Sequence, residues 1–269
     1  MKVDNSWLRD QIVSVVEQWD NTLIDNYPNE CTWMDNPKVY YDHIMGNCNY
    51  FDSAKTVNWD KIIGNEFTVL DLGCGGGWLS AYLSSFKTVN KILSVDSSIN
   101  YLENFMPQII DLMNGDISKI ERVQGLFTPL LLKDNSIDLL VISSAAHHAD
   151  NLVSLLNEFH RVLKPGGSLV ILNETPTNNL KFTLKLIIDS AKILLDTIFH
   201  RFYSRSKKIS SSGILYDPVL GDIDYPLWYW EEAFKESNFL LIDIINSGLP
   251  TIKNSKGRAL INFVLKVQK

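Results

Sequence analysis

Residues 67–79 read FTVLDLGCGGGWL, and the reading of this stretch decides the fold. Phe67, Val69, Leu70 and Leu72 make a short apolar run with Asp71 inside it, as a buried strand would. Gly73, Gly75 and Gly77 follow at alternate positions, and residues 78–83 (WLSAYL) read as the start of a helix. A strand, a glycine turn and a helix in that order bring backbone N–H groups close to a ligand at the carboxyl end of a parallel strand, without Cβ obstruction. The spacing is not that of a dinucleotide fingerprint. G-x-G-x-x-G beginning at Gly73 needs glycine at position 78, where Trp78 stands, so a nicotinamide-dependent oxidoreductase is disfavoured.

Downstream, strand and helix alternate as far as position 173. Residues 92–95 form an apolar strand ending at Asp96, and residues 100–112 read as a helix bent at Pro107. Residues 120–127 are a weaker strand and 137–142 (IDLLVI) a strong one. Residues 152–163 place Leu152, Leu155, Leu156, Phe159 and Leu163 on one helical face; Lys164-Pro165-Gly166-Gly167 stops that helix, and 168–172 resumes as a strand. Such alternation implies an α/β fold with a doubly wound, mostly parallel sheet. Beyond Asn173 come a basic amphipathic segment (178–208), an aromatic region (216–230) and a helix (231–237). Two apolar runs, 239–245 and 259–267, are placed to pair as an antiparallel C-terminal hairpin. Upstream, Leu8, Ile12, Val15, Val16 and Trp19 recur at helical spacing. The expected organisation is a helical or irregular cap over residues 1–66 and a ligand-binding domain over 67–269, with 174–230 inserted as a lid.

Composition narrows the function. The 269 residues are 45% hydrophobic and 21% charged, with a net charge of −6, which disfavours a nucleic-acid partner. Cys31, Cys48 and Cys74 lack metal-site or disulfide-framework spacing. Acidic residues interrupt the first twenty positions where a signal peptide has an unbroken apolar core, so a cytoplasmic, reduced protein is expected.

Several ordered segments together resemble the class I S-adenosylmethionine (SAM)-dependent methyltransferases of the methyltransferase-11 type. Residues 71–77 resemble their motif I. Asp96, nineteen residues after Gly77, looks like the acidic residue that chelates the cofactor ribose. Residues 123–151 and 160–171 (HRVLKPGGSLVI) are similar to the family's later strands, loop and turn. The resemblance implies a seven-stranded Rossmann-like sheet and SAM as cofactor. It implies cofactor contacts from Tyr41, Asp71, Gly73, Cys74, Gly75, Gly77, Asp96, Ser97, Leu126, Phe127 and Ser143. Two readings stand for Asp71, ligand contact or support of the glycine loop; Cys74 is a small filler without redox chemistry. Tyr40, Tyr41 and His43 lie where the family folds a segment over the cofactor, and ordinary packing is the alternative for each. Many relatives carry an Asp after the glycine matching Gly125, whereas this chain has Leu126-Phe127, which leaves adenine to backbone N–H groups and apolar packing.

SAM brings an activated methyl, so the protein supplies position and electrostatics. His147 and His148 follow the fourth strand, at the sheet edge where such folds bind ligands, and either could take a proton from an acceptor hydroxyl. Ordering the loop is the plainer role for one of them. Glu174, after the fifth strand, is a third candidate base or a cap for the next segment. No metal is expected, because Asp150 and Asn151 have no evident third ligand. The expected reaction moves a methyl to an oxygen, in preference to nitrogen or carbon, of a small molecule or glycan. The rival is a non-catalytic SAM-fold binder or partner subunit. Residues 178–208 read as a cap helix packed on the core or on a second subunit of a homodimer, or as a peripheral membrane contact through their basic end.

Overall fold

The apolar runs become one seven-stranded sheet in the computed structural model, which describes residues 2–9, 36–149, 151–180, 183–184, 187–188, 191, 208–209, 215–216, 223 and 225–269. The strands are β1 (Phe67–Leu72), β2 (Val89–Asp96), β3 (Ile120–Gln124), β4 (Ile137–Ser143), β5 (Leu163–Glu174), β6 (Phe239–Pro250) and β7 (Ala259–Val267). Their spatial order is β3-β2-β1-β4-β5-β7-β6. The first five run parallel, and β7 and β6 complete the sheet as an antiparallel hairpin. The order reverses between β1 and β4, which opens a crevice at their carboxyl ends, where an open α/β sheet binds its ligands.

Each face of the sheet carries its own core. On one side α1 (Pro37–Asp42), α2 (Tyr50–Ala54), α3 (Trp78–Ser84) and α4 (Met106–Leu112) pack on Val69, Ile92, Leu139, Val141 and Val170. On the other, α5 (Leu152–Val162) and α6 (Leu227–Glu236) cover Leu70, Leu72, Leu140, Ile142 and Ile171. The alternation of faces along β1 and β4 follows from the two-residue period of a strand. Helix starts are set locally. Asn36 caps α1 by accepting the N–H groups of Lys38 and Val39, with Pro37 in the first turn, and Asn151 caps α5 through Ser154 N–H.

Four boundaries differ from the sequence reading, each for a physical reason. The helix expected over 100–112 divides into a wide turn at Tyr101–Phe105 and α4, because Pro107 lacks an N–H and fits only a first turn. β3 ends at Gln124; Gly125 N–H still bonds the Asp96 carbonyl, and Leu126 and Phe127 then leave the sheet. Lys164-Pro165-Gly166-Gly167 stays within β5 as a detour, held because Asp138 accepts both Lys164 Nζ and Thr68 N–H. α6 begins at Leu227, directly after Pro226, so its aromatic residues sit in the helix and bury Trp230 and Phe234 one turn apart. At the opposite rim Asp4 pairs with β3: its N–H bonds Arg122 O, and its carbonyl accepts Gln124 N–H. The segment through Ile12, Val15, Val16 and Trp19, residue 150, and most of the 178–224 stretch lie outside the described residues.

Candidate active site

The turn after β1 is shaped by its glycines. Gly77 has φ +82° at the start of α3, where a Cβ would also strike Met106 at 2.6 Å. At Gly76 a Cβ would lie 2.5 Å from the Tyr40 ring, so a bare backbone is required for that ring to cover the loop. Two loop amides donate to side chains: Gly75 N–H to Asp96 Oδ2 at 2.8 Å, and Gly76 N–H to the Tyr40 hydroxyl at 3.2 Å. Asp96 Oδ1 also accepts Ser98 N–H at 2.9 Å. The carboxylate at the end of β2 therefore faces the glycine loop, and a carboxylate has acceptor capacity for several donors at once. The Phe127 ring and the Ala145 methyl flank Gly73, where an added Cβ would meet them at 3.2 and 3.0 Å. A glycine cradle, an acidic acceptor at the next strand end and an aromatic face beside them fit the adenosine part of SAM.

Asp71 sits beneath this cradle, buried, with Oδ2 accepting the Ser80 hydroxyl at 2.6 Å, and Ser80 in turn meets Ser94 at 2.7 Å. Burial pushes its carboxyl up to about 7, with nearby Asp96 adding in the same direction and the Ser80 hydrogen bonds opposing. Its geometry is that of a brace between β1, β2 and α3. Cys74 is buried in the loop, and burial raises its thiol well above the usual value. Ser97 accepts Gln124 Nε2 through its carbonyl, and Leu126 is half-buried beside Phe127. Tyr41 is half-buried with the Lys38 ammonium 5.3 Å from its ring centre, so Tyr40 and not Tyr41 touches the loop.

The second half of the site lies at the ends of β4 and β5. His147 Nδ1 is 2.8 Å from Glu174 Oε2, and Glu174 Oε1 accepts Ala146 N–H at 3.2 Å. Glu174 is 2% exposed, so it is presented to His147 and not to solvent. With the Glu174 carboxylate as acceptor at Nδ1, that nitrogen carries the N–H of a neutral imidazole and Nε2 is its acceptor. The His148 ring lies 4.3 Å from that of His147, and Ile223 N–H donates to the His147 carbonyl at 2.9 Å. Ser143 Oγ accepts Asn173 Nδ2 at 2.9 Å, and Asn173 N–H bonds the buried Asn262 side chain at 2.9 Å, so β4, β5 and β7 are tied together behind the site. The sequence named Tyr40 and Tyr41 together over the cofactor, and the structure gives the loop contact to Tyr40. Its signal was the Asn36-Pro37 start, which phases α1 so that Tyr40 and Ile44 share the buried face.

Residues 70–171 match the family model described as a methyltransferase domain. The demethylmenaquinone methyltransferase of Staphylococcus epidermidis is 28% identical over 172 residues, 64% of this chain and 63% of that protein. A sterol 24-C-methyltransferase of Neurospora crassa is 30% identical over 183 residues, again 64% of this chain and 46% of the relative. The chain thus spans less than two thirds of the length of either. A SAM-dependent methyltransferase from Aquifex aeolicus superposes with a TM-score of 0.54 at 16% identity, covering 87% of this chain and 98% of that one, a likeness of fold.

Proposed function

We propose that this chain, which carries a class I SAM-dependent methyltransferase domain, transfers a methyl group to a hydroxyl oxygen of a small-molecule acceptor, with His147 as general base and Glu174 as its positioning residue. The observation that carries this reading is the His147–Glu174 pair at the carboxyl edge of β4 and β5. When bound, SAM supplies a sulfonium whose methyl is open to in-line attack. The loop at residues 73–77, Asp96 and Phe127 bind and orient the nucleoside. Glu174 holds the imidazole and stabilises the cation formed when Nε2 takes the hydroxyl proton. A base of this kind is worth on the order of 10²–10⁴ in rate. Residues 174–230 shape the acceptor side, since Ile223 and Tyr225 already pack on the His147 loop through Ile223 N–H and the bond from Tyr225 Oη to Ala149 O. The free, buried thiols of Cys48 and Cys74 suit a cytoplasmic setting.

The test is turnover on a panel of phenolic and sugar hydroxyls. His147→Ala is expected to lower kcat by about 10²–10⁴ while calorimetric SAM binding persists. Glu174→Gln should lower kcat while calorimetric SAM binding persists, because the imidazolium formed in the reaction loses its anionic partner. Unchanged turnover in His147→Ala would sink the base assignment. SAM binding with no turnover of any acceptor would put the non-catalytic reading first. Transfer to carbon is the second reading, favoured by the name of the sterol relative, and NMR of the product separates the two.

A further inference from the structure

The helix that follows β5 starts at position 179, five residues beyond Glu174. Its described residues leave Leu180, Leu184, Ile187 and Ile188 exposed by 69, 51, 61 and 52%. These stand at i, i+4, i+7 and i+8, one stripe of a helix, and the sequence continues the same period through Leu195 and Ile198. A contiguous apolar stripe in the open is uncommon on a protein surface and marks a contact face.

Charge identifies what covers it. Residues 178–208 hold seven Lys and Arg against two Asp, a net +5 in a chain whose total is −6, so the rest of the chain carries −11. A second copy packed segment against like segment would set +5 against +5, which opposes that arrangement. An anionic bilayer answers both properties, because apolar side chains enter the acyl boundary while Lys and Arg meet the headgroups. Among the described residues no helix is long and apolar enough to cross a membrane, so such a contact lies on the surface.

We infer that the face formed by Leu180, Leu184, Ile187 and Ile188 docks on an anionic membrane surface. The inference needs no particular acceptor and no turnover.

Co-sedimentation of the full chain with vesicles tests it. Binding is expected to phosphatidylcholine vesicles containing phosphatidylglycerol at low salt, to weaken as salt is raised, and to be much poorer with phosphatidylcholine alone. Leu184→Glu with Ile187→Glu should lower the partition coefficient by about tenfold or more, with an unaltered thermal transition as the folding control. Lys207→Glu with Lys208→Glu should lower it by a similar factor on anionic vesicles only. Absence of binding to anionic vesicles at low salt overturns the inference, as does unchanged binding by the Leu184→Glu, Ile187→Glu variant. So does light scattering that finds a dimer which this variant dissociates, because the face would then belong to a second copy.

Discussion

Asp71 shows how far position changes a side chain: with its carboxyl at about 7 under burial, it passes from neutral to charged across the ordinary working range. A carboxyl raised above its unfolded value, about 3.9, holds its proton in the folded state after the unfolded chain has lost it. Stability is therefore fully present below about pH 4 and declines as pH rises toward 7, by up to about 4 kcal/mol. Asp71→Asn removes the titration, so the urea midpoint of the variant, followed from pH 4 to 7, should lack the decline that the native chain shows. Parallel curves would mean that Asp71 ionises normally. The residues most legible in the sequence were those fixed by local geometry, the alternate glycines and the acid at the end of β2. Which of Tyr40 and Tyr41 meets the loop was not legible, because a tyrosine pair in an irregular stretch gives no phase until the helix start at Asn36 is known. The pairing of His147 with Glu174 joins positions 27 residues apart, and no local pattern encodes it.

At the scale of elements, Arg161 is the link between α5 and the loop that leads from Phe127 to β4. Its guanidinium donates to both oxygens of Glu158, to Asp134 Oδ1 and to the carbonyls of Leu130 and Leu132, all at 2.7–2.9 Å. Glu158 Oε1 accepts Leu130 N–H in return, at 2.7 Å. Hydrogen bonds to charged groups contribute about 1.5–3 kcal/mol each when they are shielded. Arg161 is partly exposed, which discounts that figure, so Arg161→Ala is expected to destabilise the fold by about 2–4 kcal/mol. Hydrogen exchange at the Leu130 amide should accelerate while the amides of β1 keep their protection; equal acceleration in both would show that Arg161 serves global stability only. Strand identities were readable because β1, β4 and the second half of β5 are short, largely apolar runs. Their ends were not, since termination at Gln124 and the detour at Lys164–Gly167 depend on bonds to Asp96 and Asp138 in other strands.

Across the whole molecule, the crevice between β1 and β4 joins both cores, so a ligand seated there touches elements from each face. S-adenosylhomocysteine at a hundred times its dissociation constant should stabilise the fold by about 2.7 kcal/mol and raise Tm by roughly 5–10 °C. Asp96→Ala should abolish most of that shift. A flat melting curve with the native chain, or an undiminished shift in the variant, would remove the loop and Asp96 as the cofactor site. The doubly wound, mostly parallel sheet and the closing hairpin followed from alternation and from the last two apolar runs. The bond of Asn262 to Asn173, and the pairing of Asp4 with β3, did not, because each joins residues far apart in sequence through side-chain or edge contacts.

That pairing at Asp4 has a geometric corollary. Asp4 lies outside β3 and its row crosses the sheet to Phe263 of β7, six strand spacings of about 4.8 Å or about 30 Å away, with Val267 further along the same strand. A donor and an acceptor dye fixed near Asp4 and Val267 would form a ruler laid across the fold, one whose reading reports the sheet from its Asp4 rim as far as β7.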